Sequence, residues 1–357
     1  MARLRDLGFT IGTAPTGPLN GITDVAGVSV GHATVVRDAP RVARTGITIV
    51  SPRPRAQWTD LCYGGLHSFN GNGEVTGSHW LDESGLLSGP IGITNTHQVG
   101  LVRDTLVAEE VQRDPDATWC LPIVGETYDG FLNDIDAFHL TADDVRAALA
   151  DAEDPGLPVA EGNVGGGTGM ICHQFKGGIG TSSRRVATAG ATYTVGVLVQ
   201  ANYGAREMLR LDGHPVGREI GAEVVPLPTD PAVADAGSII AIVATDAPLL
   251  ADQCKRLARR ATVGLARVGG TGGNGSGDIF LAFSTGNRVP IGATTPTSVT
   301  TLPAGAMTPL FDATAEAVEE SIWNALVAAE TMTGHHGRVV HAIPHDLLMA
   351  GTLGQGT

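Results

Sequence analysis

The tightest constraint on this chain is the order of segments between Ser238 and Phe283. Residues Ser238–Thr245 form an uninterrupted Ile/Val/Ala-rich run, the pattern of a buried strand. Residues 247–266 then carry Leu249, Leu250, Cys254, Leu257, Ala261 and Leu265 at three-to-four spacing, with Lys255, Arg256, Arg259 and Arg260 on the other face. This predicts a helix with Asp246 as N-cap and Pro248 in the first turn. A glycine-rich loop, Gly269–Gly277, leads into a second strand, Asp278–Phe283. A strand of about eight residues advances roughly 26 Å, and a helix of about twenty returns roughly 30 Å. The second strand must therefore start at the edge where Ser238 sits, with Ser276 and Asp278 brought to that edge. Spacing alone also fits a glycine turn closed by an Asx-type cap.

The segment before Ser238 is of another kind. Val224–Gly237 reads VVPLPTDPAVADAG, rich in proline, aspartate and small residues, and predicts an exposed, protease-accessible loop. Such a tether running straight into a core strand is the layout that self-cleavage at Gly237–Ser238 would need. On composition alone, an ordinary surface loop before a strand is the simpler reading. Were the bond cut, the new N-terminal serine would carry a hydroxyl nucleophile and an α-amine within one residue. An α-amine has a pKa of about 7.7–8.0 and can serve as a base near neutrality. The tetrahedral intermediate would need an oxyanion hole from an amide side chain or backbone N–H.

Elsewhere the pattern alternates. Strands are expected at Gly46–Val50, Gly92–Asn95 and Tyr193–Val199. Helices are expected at 98–112, at 142–152 with Thr141 as N-cap, and at 313–332. The last is read with Asp312 as cap, acidic Glu316, Glu319 and Glu320 in its early turns, and Gly334 at its end. No linker or internal repeat divides the 357 residues, so a single domain is expected. Glycine, at 49 residues, is about twice as frequent as the usual ~7%, which implies many tight turns and close backbone approaches.

Several function classes fall away. A net charge of −14 does not suit nucleic-acid phosphates. No apolar run reaches the roughly 18 residues that span a bilayer. The N-terminal segment lacks the apolar core of a signal peptide, so a cytoplasmic location is expected. The four cysteines, Cys62, Cys120, Cys172 and Cys254, have no metal-like spacing and read as free thiols. His341 and His345 are four apart, but Pro344 breaks a helix between them, so no metal site is expected. The run Gly165–Gly169 is similar to the glycine signature of tubulin-like GTPases, yet Met170 follows where a P-loop would carry lysine. A structural turn, or a turn beside a reaction centre, explains it better.

The ordered motifs resemble the DmpA-like aminopeptidases, which comprise L-aminopeptidase/D-Ala-esterase/amidases and β-peptidyl aminopeptidases. The resemblance runs from Gly17–His32 through Gly64–His67, Asn70–Glu74, Ile93–Thr96, Gly125–Gly130 and Asn163–Gly169. It continues through Lys176–Arg184, Val199–Gly204, Gly237–Ile240 and Gly275–Asp278. It implies an α+β fold, a four-layer αββα sandwich shared in outline with ornithine acetyltransferase. It implies autocatalytic cleavage at Gly237–Ser238 into an α subunit, 1–237, and a β subunit, 238–357. By the same resemblance Ser238 is the nucleophile, Asn202 the oxyanion-hole amide, and Ser276 the hydroxyl supporting the nucleophile and its amine. Asp278 stands where some members carry glutamate, Tyr128 borders the cleavage site, and Glu126 anchors the substrate's free amino group. No metal or organic cofactor is implied, and a homotetramer is. The substrates would be short peptides, amides or esters with a free amine. Two alternatives stand beside this reading: an acyltransferase like ornithine acetyltransferase, which uses threonine at its processing site, and a non-enzymatic nucleotide-binding protein built on the glycine loops.

Overall fold

The computed structural model describes residues 2–114, 119–228 and 236–353. The chain opens with β1 (Ser29–Arg37), β2 (Ala43–Ser51), β3 (Asp60–Gly71), α1 (Ser78–Ser84), β4 (Leu86–Leu87) and β5 (Ile91–Asn95). Helix α2 (Val99–Arg113), β6 (Ile123–Thr127) and α3 (Ala142–Asp151) follow. A short hairpin, β7 (Ile171–Cys172) and β8 (Phe175–Lys176), leads into the long strands β9 (Gly178–Thr188) and β10 (Ala191–Asn202). After α4 (Val216–Glu219) come β11 (Ala236–Thr245), α5 (Ala251–Val268), β12 (Gly275–Pro290) and α6 (Thr308–Ala328). A second hairpin, β13 (Met332–Thr333) and β14 (Val339–Val340), and α7 (His345–Leu353) complete it.

The strands make two main sheets, ordered β1-β2-β5-β6 and β4-β3-β12-β11-β10-β9. Only β5/β6 and β11/β12 are parallel within them. Side chains alternate across each strand, so each sheet offers two faces to bury. Ile91, Ile93 and Ile123 of the smaller sheet pack between the sheets against Leu198, Ile240, Ile242 and Ile279 of the larger. Outside the larger sheet, Val197, Val199, Ile239 and Phe280 pack on Leu257, Leu265, Val318 and Trp323 of α5 and α6. Outside the smaller, Ile47, Ile49 and Val124 pack on Val102, Leu106 and Val145 of α2 and α3. The result is the αββα sandwich that the resemblance implied.

The helix return operates as the lengths required. β11 and β12 run parallel with Gly237 opposite Ser276, Ser238 opposite Gly277, and Ile239 opposite Asp278. Helices α2 and α3 match their expected limits closely, and Thr141 caps α3 by accepting the Asp144 N–H.

Other boundaries need correction. Helix α5 starts at Ala251 rather than 247, and Asp246 does not cap it. Asp246 Oδ1 instead accepts the Thr194 N–H at 2.7 Å. The Leu250 N–H at the true N-cap donates to Gln253 Oε1 at 3.0 Å. Helix α6 spans Thr308–Ala328, not 313–332; Asp312 lies inside it, Pro309 sits in its first turn, and Gly334 lies beyond its end. The cause is burial all round the helix: Glu316, Glu319 and Glu320 are not surface acids but pair with Arg184, Arg267 and Arg5. Strand β11 begins at Ala236, before Ser238. Of the expected loop 224–237, residues 229–235 lie outside the described residues.

Among the described residues, no helix is long and apolar enough to cross a membrane. No group of three or more His, Cys, Asp or Glu among them could hold a metal. Cys62, Cys172 and Cys254 are buried, Cys120 is half-buried, and all are free.

Candidate active site

Ser238 lies in β11 between β10 and β12, in register with Asn202 on one side and Gly277 on the other. Alternation along these strands decides which side chains can meet. The Ser238 side chain shares a face with Asn202, Ile240 and Ile279, the face turned towards the second sheet. Ser276 and Asp278 share the opposite face with Ile239 and Phe280, turned towards α5.

On the inter-sheet face, the Asn202 amide is held at both ends. Its Oδ1 accepts the Ile171 N–H at 2.8 Å, and its Nδ2 donates to the Tyr128 carbonyl at 3.0 Å. A flipped amide would set donor against donor and acceptor against acceptor, so these two partners fix its orientation. Nδ2 carries a second hydrogen beyond the one given to Tyr128. The bond to Tyr128 also ties the larger sheet to the segment after β6. There the Tyr128 ring is half exposed and folds over Gly130, where an added Cβ would force the ring aside.

Glu126, in β6, is buried. Its Oε1 accepts the Glu74 N–H at 3.1 Å, and its Oε2 accepts the Thr96 hydroxyl. Burial pushes its pKa up, while these two bonds oppose the shift. Glycine brings this carboxylate close to Gly277, the residue opposite Ser238 on β12. A Cβ on Gly73 would sit 3.3 Å from Glu126 Oε1 and 3.4 Å from Gly277 Cα. A Cβ on Gly277 would collide with the Asn72 carbonyl and lie 2.9 Å from Gly73 Cα.

On the other face, the Ser276 hydroxyl donates to Asp278 Oδ1 at 2.7 Å. Asp278 is buried and its pKa is raised by burial, with the serine bond opposing. Strand and helix lengths bring both residues to the right edge but do not define the face. The pair flanks the backbone of the Gly237–Ser238 junction, not the Ser238 hydroxyl.

The glycine run Gly165–Gly169 is buried between the sheets. Its N–H groups are already used: Gly165 donates to Thr34 Oγ1 at 2.8 Å, Gly166 to Thr48 Oγ1 at 3.1 Å, and Gly167 to the Val164 carbonyl at 2.9 Å. It is a packing turn whose first three N–H groups are committed within the protein, so the nucleotide-binding alternative is not favoured.

Sequence reasoning passed over several supports of this site. Thr96 and the Ile171 N–H hold Glu126 and Asn202, and Gln200 Nε2 links the sheets through Thr94 O at 3.0 Å and Thr127 Oγ1 at 2.7 Å. Asp129, beside Tyr128, is fully enclosed and pushed up to about 7 by burial. Backbone donors leave no mark in a sequence; Thr96 and Gln200 lay inside the family motifs without an assigned role.

Three comparisons bear on this geometry. A family model, Peptidase family S58, matches residues 20–340. The chain is 46% identical to the beta-peptidyl aminopeptidase BapA of Sphingosinicella microcystinivorans, across 98% of this chain and 91% of that protein. Its structure matches that of a Burkholderia sp. beta-aminopeptidase with a TM-score of 0.92 and 49% identity, covering 100% of this chain and 99% of the other. It also matches the L-aminopeptidase D-Ala-esterase/amidase of Ochrobactrum anthropi, described as a new variant of the Ntn hydrolase fold, with a TM-score of 0.90 and 42% identity over 100% of both chains. With the αββα sandwich and the Ser238–Asn202 pairing already in place, these matches over the whole chain lead to one conclusion: the protein belongs to peptidase family S58.

Proposed function

We propose that this chain is a self-processing serine aminopeptidase that takes short peptides, amides or esters with a free amino group. The observation that carries the reading is the register pairing of Ser238 with an Asn202 amide whose orientation is fixed by Ile171 and Tyr128. In processing, Ser238 Oγ adds to the Gly237 carbonyl and the Gly237–Ser238 C–N bond breaks. The nitrogen takes the hydroxyl proton, leaving Gly237 esterified to Oγ. Water then hydrolyses this ester, giving an α subunit of 1–237 ending in a carboxylate and a β subunit of 238–357 beginning with a free amine.

In turnover, the α-amine takes the proton of Ser238 Oγ as the oxygen attacks the substrate's carbonyl, and later returns it to the leaving amine. The spare Asn202 Nδ2 hydrogen would meet the developing oxyanion. Ser276 and Asp278, beside the junction backbone, are suited to holding the α-amine. Glu126 would receive the substrate's ammonium, whose charge offsets the burial that raises the carboxyl's pKa. Tyr128 would border the entrance. The chemistry needs no metal or organic cofactor. An acyltransferase is not favoured, because the matches over the full chain are to aminopeptidases.

We also propose a homotetramer of αβ units in the cytoplasm. The exposed Trp80 and Trp119, packed edge to face with centroids 5.3 Å apart, offer an apolar surface for assembly. Free thiols at Cys62, Cys172 and Cys254 suit a reducing compartment.

The test is intact mass over time for the wild type and Ser238→Ala. The wild type should resolve into two subunits, while the variant stays at 36.7 kDa and does not cleave L-, D- or β-aminoacyl p-nitroanilides. A variant that still splits, or a wild type that never does, would overturn the mechanism.

A further inference from the structure

Lys176, at the end of β8, is fully buried. Its ammonium donates to three backbone carbonyls: Gly177 at 2.8 Å, Met170 at 2.9 Å and Gly167 at 3.3 Å. Burying an ammonium carries a large desolvation penalty, and carbonyl dipoles compensate less than a carboxylate would. Burial accordingly pulls its pKa down to about 7. A lysine kept there against that penalty calls for a function in what it holds.

One of its carbonyls provides the connection. Met170 O belongs to the peptide group between Met170 and Ile171, and the N–H of that same group donates to Asn202 Oδ1 at 2.8 Å. We infer that Lys176 is a positioning residue for the oxyanion amide, holding one end of the peptide group whose other end orients Asn202. The order is Lys176 Nζ, the Met170–Ile171 peptide, the Asn202 side chain, then the Tyr128 carbonyl at 3.0 Å. An Nζ–H donor on the carbonyl polarises the peptide and strengthens its N–H as a donor, and the Asn202 amide is polarised in turn towards its own N–H groups. The Gly167 and Gly177 carbonyls anchor the same ammonium to the packing turn and to the start of β9. The lysine absent from the glycine run as a phosphate ligand thus meets that turn from the next hairpin, with one Nζ donor on the peptide that orients Asn202.

This inference rests on the proposed oxyanion role of Asn202, and a double-mutant cycle separates the two. Wild type, Lys176→Met, Asn202→Ala and the double variant are compared on the aminoacyl p-nitroanilide the wild type cleaves fastest. Rates are normalised to the cleaved fraction from intact mass. Removing a whole oxyanion donor lowers kcat by about 10²–10³-fold, and losing only its orientation is expected to lower it about tenfold. The expected result is a kcat loss for Lys176→Met with KM within about twofold, which disappears in the Asn202→Ala background. An equal factor in both backgrounds would overturn the positioning role while leaving the Asn202 reading intact. An Asn202→Ala enzyme with wild-type kcat would overturn both. If Lys176→Met does not fold, Lys176→Arg, which keeps the charge and changes the donor geometry, replaces it in the same cycle. A kcat loss that vanishes in the Asn202→Ala background again supports the positioning role, and an equal loss in both backgrounds again overturns it.

Discussion

Asn202 and Ser238 stand opposite one another on antiparallel β10 and β11, both side chains on the face between the sheets. The amide reaches this position already engaged, accepting from Ile171 and donating to the Tyr128 carbonyl. Asn202→Asp preserves the shape but turns the donor into an acceptor facing that carbonyl. The protein should fold and yet lose the oxyanion contact. Processing and kcat should each fall about 10²–10³-fold, read by intact mass over hours and by p-nitroanilide turnover. Wild-type processing in this variant would take Asn202 out of the reaction.

Ser276 and Asp278 make a separate prediction because they lie on the other face, beside the junction backbone. If Asp278 sits next to the liberated α-amine, its negative charge raises the pKa of that ammonium. Asp278→Asn removes the charge and lowers it. Turnover needs the neutral amine, so the acid limb of the kcat/KM profile should move to lower pH, by roughly one unit. An unmoved limb, whatever the rate, would dissociate Asp278 from the amine.

What a sequence reveals of such a site depends on where physical constraint falls. The parallel pairing of β11 with β12 was legible because α5 is one-sided. Leu257, Ala261 and Leu265 are buried while Arg259 is exposed, so its length and direction could be inferred. Helix α6 hid its ends because it has no solvent face, and its buried acids pair with arginines from distant elements. A spacing of two puts Ser276 and Asp278 on a common face, but their phase relative to Ser238 depends on a register that only the folded sheet defines. Asn202 was found through motif resemblance, whereas its orienting Ile171 N–H was not, since a backbone donor has no side-chain signature, and Lys176 stood in a family motif without a role, since a lysine ordinarily reads as surface.

Close backbone approach explains why Gly277 faces the nucleophile. Any side chain there would strike the Asn72 carbonyl and crowd Gly73, both backbone atoms that cannot rotate away. Gly277→Ala should therefore push β12 from the Asn70–Glu74 segment that carries the Glu126 contact. We expect a loss of about 1–3 kcal/mol in stability and slowed self-cleavage, measured by denaturant melts and intact mass. Unchanged processing would show that the approach of these strands is not needed at the junction.

Acid stability should expose a buried neutral histidine. His173, between β7 and β8, has its N–H 2.6 Å from the Tyr203 carbonyl and Nδ1 2.9 Å from the Ala205 carbonyl, so Nδ1 holds the proton. Burial, reinforced by the charge of Arg206, lowers its pKa from 6.5 to about 4. In the unfolded chain it takes up a proton near 6.5, earlier on acidification than the folded form does. Its contribution is therefore complete above about pH 6.5 and is lost as the pH falls towards about 4, on the order of 3 kcal/mol in total. His173→Asn tolerates the local φ of +48° and removes the titration. Calorimetric Tm values at steps between pH 7 and 4 should fall less steeply for the variant, by up to about 1.4 kcal/mol per pH unit in stability. Parallel curves for the two proteins would show that another group governs acid unfolding, even if the variant is less stable throughout.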